Sequence, residues 1–209
     1  DPPLFGAHRL DHAVDAVDGR PCQGFGSNGE VALDAGRPID ADEFVQVSSP
    51  PVVSGEVIVV GSAISDSIRA DAPSGKVRAL DVRTGALRWE FDPVPRDPAD
   101  PAAASWHGDS ARVTGAANVW APMAVDTVRD LVFLPTSSAS PDYYGGSRPG
   151  DNRYANSLVA LRGATVAVTL AEAAGIDQRH VETGPPQALA HPGGFVSLGV
   201  QRGDQKNAH

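Results

Sequence analysis

Alternating apolar and polar positions mark several short strands, and the sharpest of them lie in Val77-Arg-Ala-Leu-Asp-Val-Arg-Thr-Gly-Ala-Leu-Arg-Trp-Glu-Phe91. This stretch predicts a strand ending in Asp81, a tight turn closed by Thr84-Gly85, and a second strand carrying Trp89 and Phe91. Branched and aromatic residues suit a pleated surface, and glycine supplies the positive φ that such turns need. Degenerate copies of the unit recur. His12 to Arg20 places Asp15 and Asp18-Gly19 where the first unit has Asp81 and Thr84-Gly85. Ser157 to Thr165 is a damaged copy, with Arg162 in the aspartate position. The interval from Asp15 to Asp81 exceeds a bare propeller-blade repeat of roughly 40–50 residues, so each copy would carry an inserted loop.

Further strands are predicted at Glu56 to Gly61 and Leu131 to Pro135. Short strands between Gly, Pro, Asp and Ser clusters indicate an all-β fold. Two long loops interrupt them. Residues 92–115 carry Pro93, Pro95, Pro98 and Pro101, which predicts extended chain rather than helix. Residues 137–153 are rich in Ser, Pro, Gly and Asp, with Tyr143 and Tyr144 in the middle. Loops of this length usually serve a site or a partner. From Ala164 the repeat disappears. Thr169 to Glu172 could cap a short helix ended by Gly175, and the expected division is a repeat-bearing portion, 1–163, and a divergent, weakly ordered tail, 164–209.

Composition narrows the function. The 209 residues carry a net charge of −9, which argues against nucleic acid or an anionic membrane surface as partner. The 22 glycines and 18 prolines fit many turns. Cys22 stands alone and can form no intrachain disulfide. The longest apolar stretch, Val52 to Ala63, is broken by Ser54, Gly55 and Glu56 and is too short to span a membrane. The single methionine is Met123, which implies a start downstream of the translational one. Phosphate-binding loops, helical zinc-protease pairs, CxxC pairs and nucleophile elbows are missing. His8 and His12 have helical spacing without a helical context, and His107 reads as a surface residue. Polar residues at strand ends remain: Asp66 after the strand at Gly61, and Trp120 between Asn118 and Pro122, where proline ends pairing.

These residues lie within longer matching stretches. They include Asp18 to Gly29, Ser48 to Pro51, Gly61 to Asp66, Ser74 to Asp92, Thr114 to Pro122, Arg129 to Pro135 and Ser140 to Leu161. Over about residues 8 to 163 the chain resembles the quinoprotein dehydrogenases that use pyrroloquinoline quinone (PQQ), in the branch of membrane-bound glucose and quinate/shikimate dehydrogenases. The resemblance implies a portion of an eight-bladed β-propeller closed by tryptophan docking motifs, roughly two to three blades of it. It implies PQQ held by Ca²⁺ or Mg²⁺, oxidation of a sugar or cyclic polyol, and electron transfer to ubiquinone in the periplasm. A membrane anchor would lie in a segment absent from this chain.

By position, Trp120 matches the tryptophan that stacks on PQQ, and Asp66 an acidic residue at the cofactor and cation. Ser67 replaces the usual asparagine as a weaker oxygen ligand, and Ser140 falls where relatives place a hydroxyl near the cation. Two departures stand out. After Gly163 the family's Trp and His-His-Asp motif, with its catalytic aspartate, is replaced by Ala-Thr-Val-Ala-Val, as a reading-frame change would produce. The family's first blades, with a His and an Arg that contact substrate and cofactor, have no counterpart. No catalytic residue is therefore assigned, and the chain by itself is expected to be inactive, poorly soluble or self-associating. The competing expectation is a non-enzymatic β-propeller scaffold or interaction protein, which would need the turn motif and Trp89 but not Asp66, Trp120 and the 140–152 loop together.

Overall fold

The computed structural model describes residues 10–33, 38, 40, 42–67 and 69–164. All of them belong to one compact unit, Asp1–Ile176; the second unit, Asp177–His209, the expected helix at Thr169 and the tail beyond residue 164 lie outside the described residues.

Eleven strands follow one another among the described residues: β1 (Leu10–His12), β2 (Glu30–Ala32), β3 (Val45–Gln46), β4 (Val52–Ser54), β5 (Val57–Val60), β6 (Ala63–Ile64), β7 (Val77–Asp81), β8 (Leu87–Phe91), β9 (Ala124–Asp126), β10 (Leu131–Pro135) and β11 (Leu158–Arg162). The fold is all-β, and every strand pairing is antiparallel. A four-stranded sheet runs β4-β5-β7-β8, a three-stranded sheet runs β9-β10-β11, and β1-β2 and β3-β6 form two-stranded pairs. These are the sheets of a partial propeller, with one four-stranded blade and a three-stranded neighbour.

The β7–β8 hairpin forms as its sequence predicts. The Asp81 carboxylate accepts hydrogen bonds from the Thr84 backbone (2.8 Å), the Thr84 hydroxyl (3.0 Å) and the Arg83 backbone (3.0 Å). Gly85 adopts φ +70°, the geometry that closes the turn. The copy at His12 to Arg20 repeats this turn: Asp15 accepts from Val17 and Asp18, and Gly19 has φ +71°. Its second strand is reduced to a single bridge, Val14 to Pro21, because proline has no N–H to continue a ladder.

β7 is buried along its whole length, since β5 and β8 flank it and both sheet faces are covered. One face packs with the β9-β10-β11 sheet through Val57, Val77, Trp89, Val132, Leu134 and Leu161. The other packs on the N-terminal segment through Phe25, Leu33, Val60 and Leu80. Arg78, enclosed in β7, is neutralised by Glu90 on β8 at 2.8 Å.

Residues 92–115 depart from the expected extended chain beyond their last proline. Pro101 is followed by a 3₁₀ turn, Ala103–Ser105, and by one turn of helix α1, Ser110–Val113. The prolines forbid helix only up to their own positions, and the alanines after them do not. This loop lies against 137–153: the Trp106 indole N–H donates to the Arg153 carbonyl and the His107 N–H to the Pro149 carbonyl.

Candidate functional site

Three segments converge at the ends of the strands: 61–66 after β5, 114–121 before β9, and 136–142 after β10. They are woven together by backbone. The Ala117 N–H donates to the Ser138 carbonyl, the Ser137 N–H to the Asn118 carbonyl, and the Ser140 N–H to the Gly115 carbonyl. Glycines allow a close approach. A Cβ on Gly61 would stand 2.2 Å from the Val119 carbonyl oxygen, and one on Gly75 would stand 2.2 Å from that of Ala116.

This weave joins the segments that bear Asp66, Trp120 and Ser140. Val119, just before Trp120, is fully buried, whereas Trp120 leaves 58% of its surface open. An indole so exposed on a buried support offers a flat apolar face rather than core packing. Asp66 is half-buried, and burial, reinforced by the nearby Asp142 carboxylate, raises its pKa above the ordinary range. Such a carboxylate gains from a nearby cation. Ser67 is exposed.

Ser140 is completely buried, and its hydroxyl is directed at the backbone carbonyls of Asp66 (2.6 Å) and Arg69. The Asp142 N–H also donates to the Asp66 carbonyl at 3.2 Å. Ser140 thus anchors the loop bearing Asp66 to the 137–142 segment. Arg69 secures the same loop from outside, between Asp40 (2.5 Å) and Asp71 (2.7 Å).

Two polar residues in this cluster carry no signal in the sequence. Asn118 is 1% exposed and joins two of the segments to its own. Arg148 donates to Asn152 (2.8 Å) and Ser138 (3.0 Å), and its pKa is lowered by burial, against the pull of Asp142. The bonds of Asn118 span 56 and 19 residues and leave no short-range motif; those of Arg148 span 4 and 10 residues inside one polar loop, where nothing sets it apart. Of the two histidines at helical spacing, His12 faces Glu30 at 3.6 Å, and His8 lies outside the described residues. His107 is exposed.

The PQQ family described as "Glucose/ethanol/alcohol dehydrogenase, beta-propeller domain" matches residues 7–169. The chain belongs to this family. Among curated relatives, the quinate/shikimate dehydrogenase (quinone) of Acinetobacter baylyi is 43% identical over 156 residues, which are 73% of this chain and 19% of that protein. Quinoprotein glucose dehydrogenase A of Acinetobacter calcoaceticus is 38% identical over 154 residues, again 73% of this chain and 19% of the relative. The chain thus spans about a fifth of the length of the curated relatives it matches. The quinohemoprotein alcohol dehydrogenase of Comamonas testosteroni superposes with a TM-score of 0.61 at 23% identity, over 77% of this chain and 24% of that one. That likeness supports the propeller fold.

The exposed face of Trp120 fits the planar ring system of this family's cofactor. A cation is a less complete fit. Among the described residues no cluster of three or more His, Cys, Asp or Glu side chains is placed to hold a metal ion. The carboxylate of Asp66 and the hydroxyl of Ser67 would by themselves fall short of the roughly six to eight oxygens that Ca²⁺ takes. No helix of the described residues is long and apolar enough to cross a membrane.

Proposed function

We propose that the chain is a portion of a PQQ-dependent dehydrogenase that oxidises a sugar or cyclic polyol, and that its loop cluster forms one side of the cofactor site. The observation that carries this reading is the exposed indole of Trp120 on a fully buried support, within the cluster that also holds the half-buried carboxylate of Asp66. Membership of the family and the names of the relatives support it: they are quinoprotein glucose and quinate/shikimate dehydrogenases.

When bound, PQQ supplies the redox chemistry. The chain's own residues bind and orient. Trp120 offers the stacking face. Asp66, with Ser67 beside it, contributes oxygens towards a Ca²⁺ or Mg²⁺ ion whose remaining ligands come from elsewhere. Ser140 acts through the backbone, fixing the Asp66 loop. No residue of this chain is assigned the role of accepting the substrate proton, so the chain alone binds without turning over. The "(quinone)" in one relative's name supports a quinone as the electron acceptor, ubiquinone in our reading, and the placement we propose is periplasmic.

Equilibrium dialysis of the full chain against PQQ, with and without Ca²⁺ or Mg²⁺, tests the reading. Saturable binding that strengthens with the cation is expected, together with loss of the cation effect in Asp66→Asn. Dye reduction with glucose or quinate is expected to be absent. Failure to bind PQQ under any of these conditions would overturn the proposal in favour of a non-enzymatic scaffold.

A further inference from the structure

The Asn118 side chain ties together the strand end leading to Asp66, the segment bearing Trp120 and the segment bearing Ser140. Its Nδ2 donates to the Ser62 carbonyl at 2.6 Å, and its Oδ1 accepts from the Ser137 hydroxyl at 2.9 Å. Its own carbonyl accepts from the Ser137 N–H at 2.9 Å. The partners lie 56 and 19 residues away, and Asn118 is 1% exposed.

The backbone before it is strained. Ala116 and Ala117 hold φ of +61° and +56°, left-handed values that residues with a Cβ seldom adopt. Both are fully buried. Two consecutive left-handed alanines persist only where the surroundings fix them, and such strain gathers where a group must be held in one pose. Here the fixing bonds are the Ala116 N–H to the Pro73 carbonyl, the Ala117 N–H to the Ser138 carbonyl and, just after them, those of Asn118, with the close approaches at Gly61 and Gly75. The chain emerges from this clamp at Trp120, whose ring has little packing of its own to orient it.

We infer that Asn118 is the positioning residue of the cofactor face: its amide sets the pose of the Trp120 indole relative to the loop of Asp66. This rests on the cofactor reading above. Asparagine suits the task because one planar group donates on one side and accepts on the other. Aspartate would keep the shape and lose the donor to Ser62. In the low dielectric of this buried site an unmade bond is costly, so each bond is worth more than on the surface.

The three tryptophans make the inference testable in the full chain. With 5-fluorotryptophan incorporated, ¹⁹F spectra give one resonance each for Trp89, Trp106 and Trp120, the last assigned through Trp120→Phe. Ser137→Ala, the milder change, and Asn118→Asp are each expected to shift or broaden the Trp120 resonance while those of Trp89 and Trp106 stay in place. Each is also expected to weaken PQQ binding about tenfold, the size of one buried hydrogen bond. A Trp120 resonance unmoved in both variants would overturn the positioning role. So would collapse of all three resonances together in both, which would make the network an element of the fold alone. Absence of PQQ binding by the unsubstituted chain counts against the cofactor reading instead, since the resonance reports the pose of Trp120 without cofactor.

Discussion

The indole N–H of Trp89 donates a 2.9 Å hydrogen bond to the carbonyl of Gly163, 74 residues later. It joins the four-stranded blade to the end of the neighbouring sheet, and it ends on the residue after which the repeat pattern breaks. Gly163 is confined there: a Cβ on it would stand 2.4 Å from Asp130 Oδ1 and 2.6 Å from Ser54 Oγ. Trp89 is itself 8% exposed within the core shared by the two sheets.

Replacing Trp89 by Phe keeps an aromatic ring and leaves the Gly163 carbonyl without its donor. Urea unfolding should show a loss of about 1–3 kcal/mol, the usual cost of orphaning a buried polar group. A loss below about 0.5 kcal/mol would show that the inter-blade bond contributes little.

The turn at Asp81 should make stability depend on acid. Arg88 first, and then the backbone and hydroxyl of Thr84, hold the Asp81 carboxyl well below the usual carboxylate range, against a small opposing effect of burial. In the unfolded chain this group titrates near ~3.9. Its contribution is therefore fully present above that pH and is lost as the pH falls through and below it. Asp81→Asn should lower the urea midpoint at pH 7, and the gap to the parent chain should narrow as the pH drops below about 4. A gap constant across that window would remove the charge of Asp81 from the account.

Trp120→Ala separates binding from folding. Because the ring is 58% exposed, the variant should keep its stability within about 0.5 kcal/mol. Its affinity for PQQ should fall about tenfold or more, as expected when an aromatic stacking partner is removed. Unchanged affinity in dialysis would take Trp120 out of the site.

Two glycines make a paired test of the loop weave. Gly61→Ala would drive a Cβ to 2.2 Å from the Val119 carbonyl oxygen, and should cost about 1–3 kcal/mol by forcing the Trp120 segment outward. A Cβ on Gly24 would meet nothing within 4 Å, so Gly24→Ala should change stability by less than about 0.5 kcal/mol. Equal effects at the two positions would mean that the close approach at Gly61 is relieved without strain.

The sequence by itself determined the local parts of this protein. The Asp81 turn is built from bonds two and three residues long, so its residues state it directly, and the same grammar makes the copy at Asp15 legible. The strands at Leu131–Pro135 and Val57–Val60 follow from apolar runs bounded by turn residues. Asp66 and Trp120 stood out as residues at strand ends, but their roles, and Ser140 as a candidate at all, were legible only through resemblance, since no spacing among them encodes a contact. Tertiary structure alone decided the rest. It paired β5 with β7 across the excursion through β6, and it turned the Ser140 hydroxyl onto the carbonyl of Asp66, 74 residues earlier. It also made Asn118 the tie between Ser62 and Ser137. The physical reason is separation along the chain: a turn closes within its own residues, whereas a bond spanning tens of residues depends on how the sheets fold over one another, and each end looks like any polar residue in a loop.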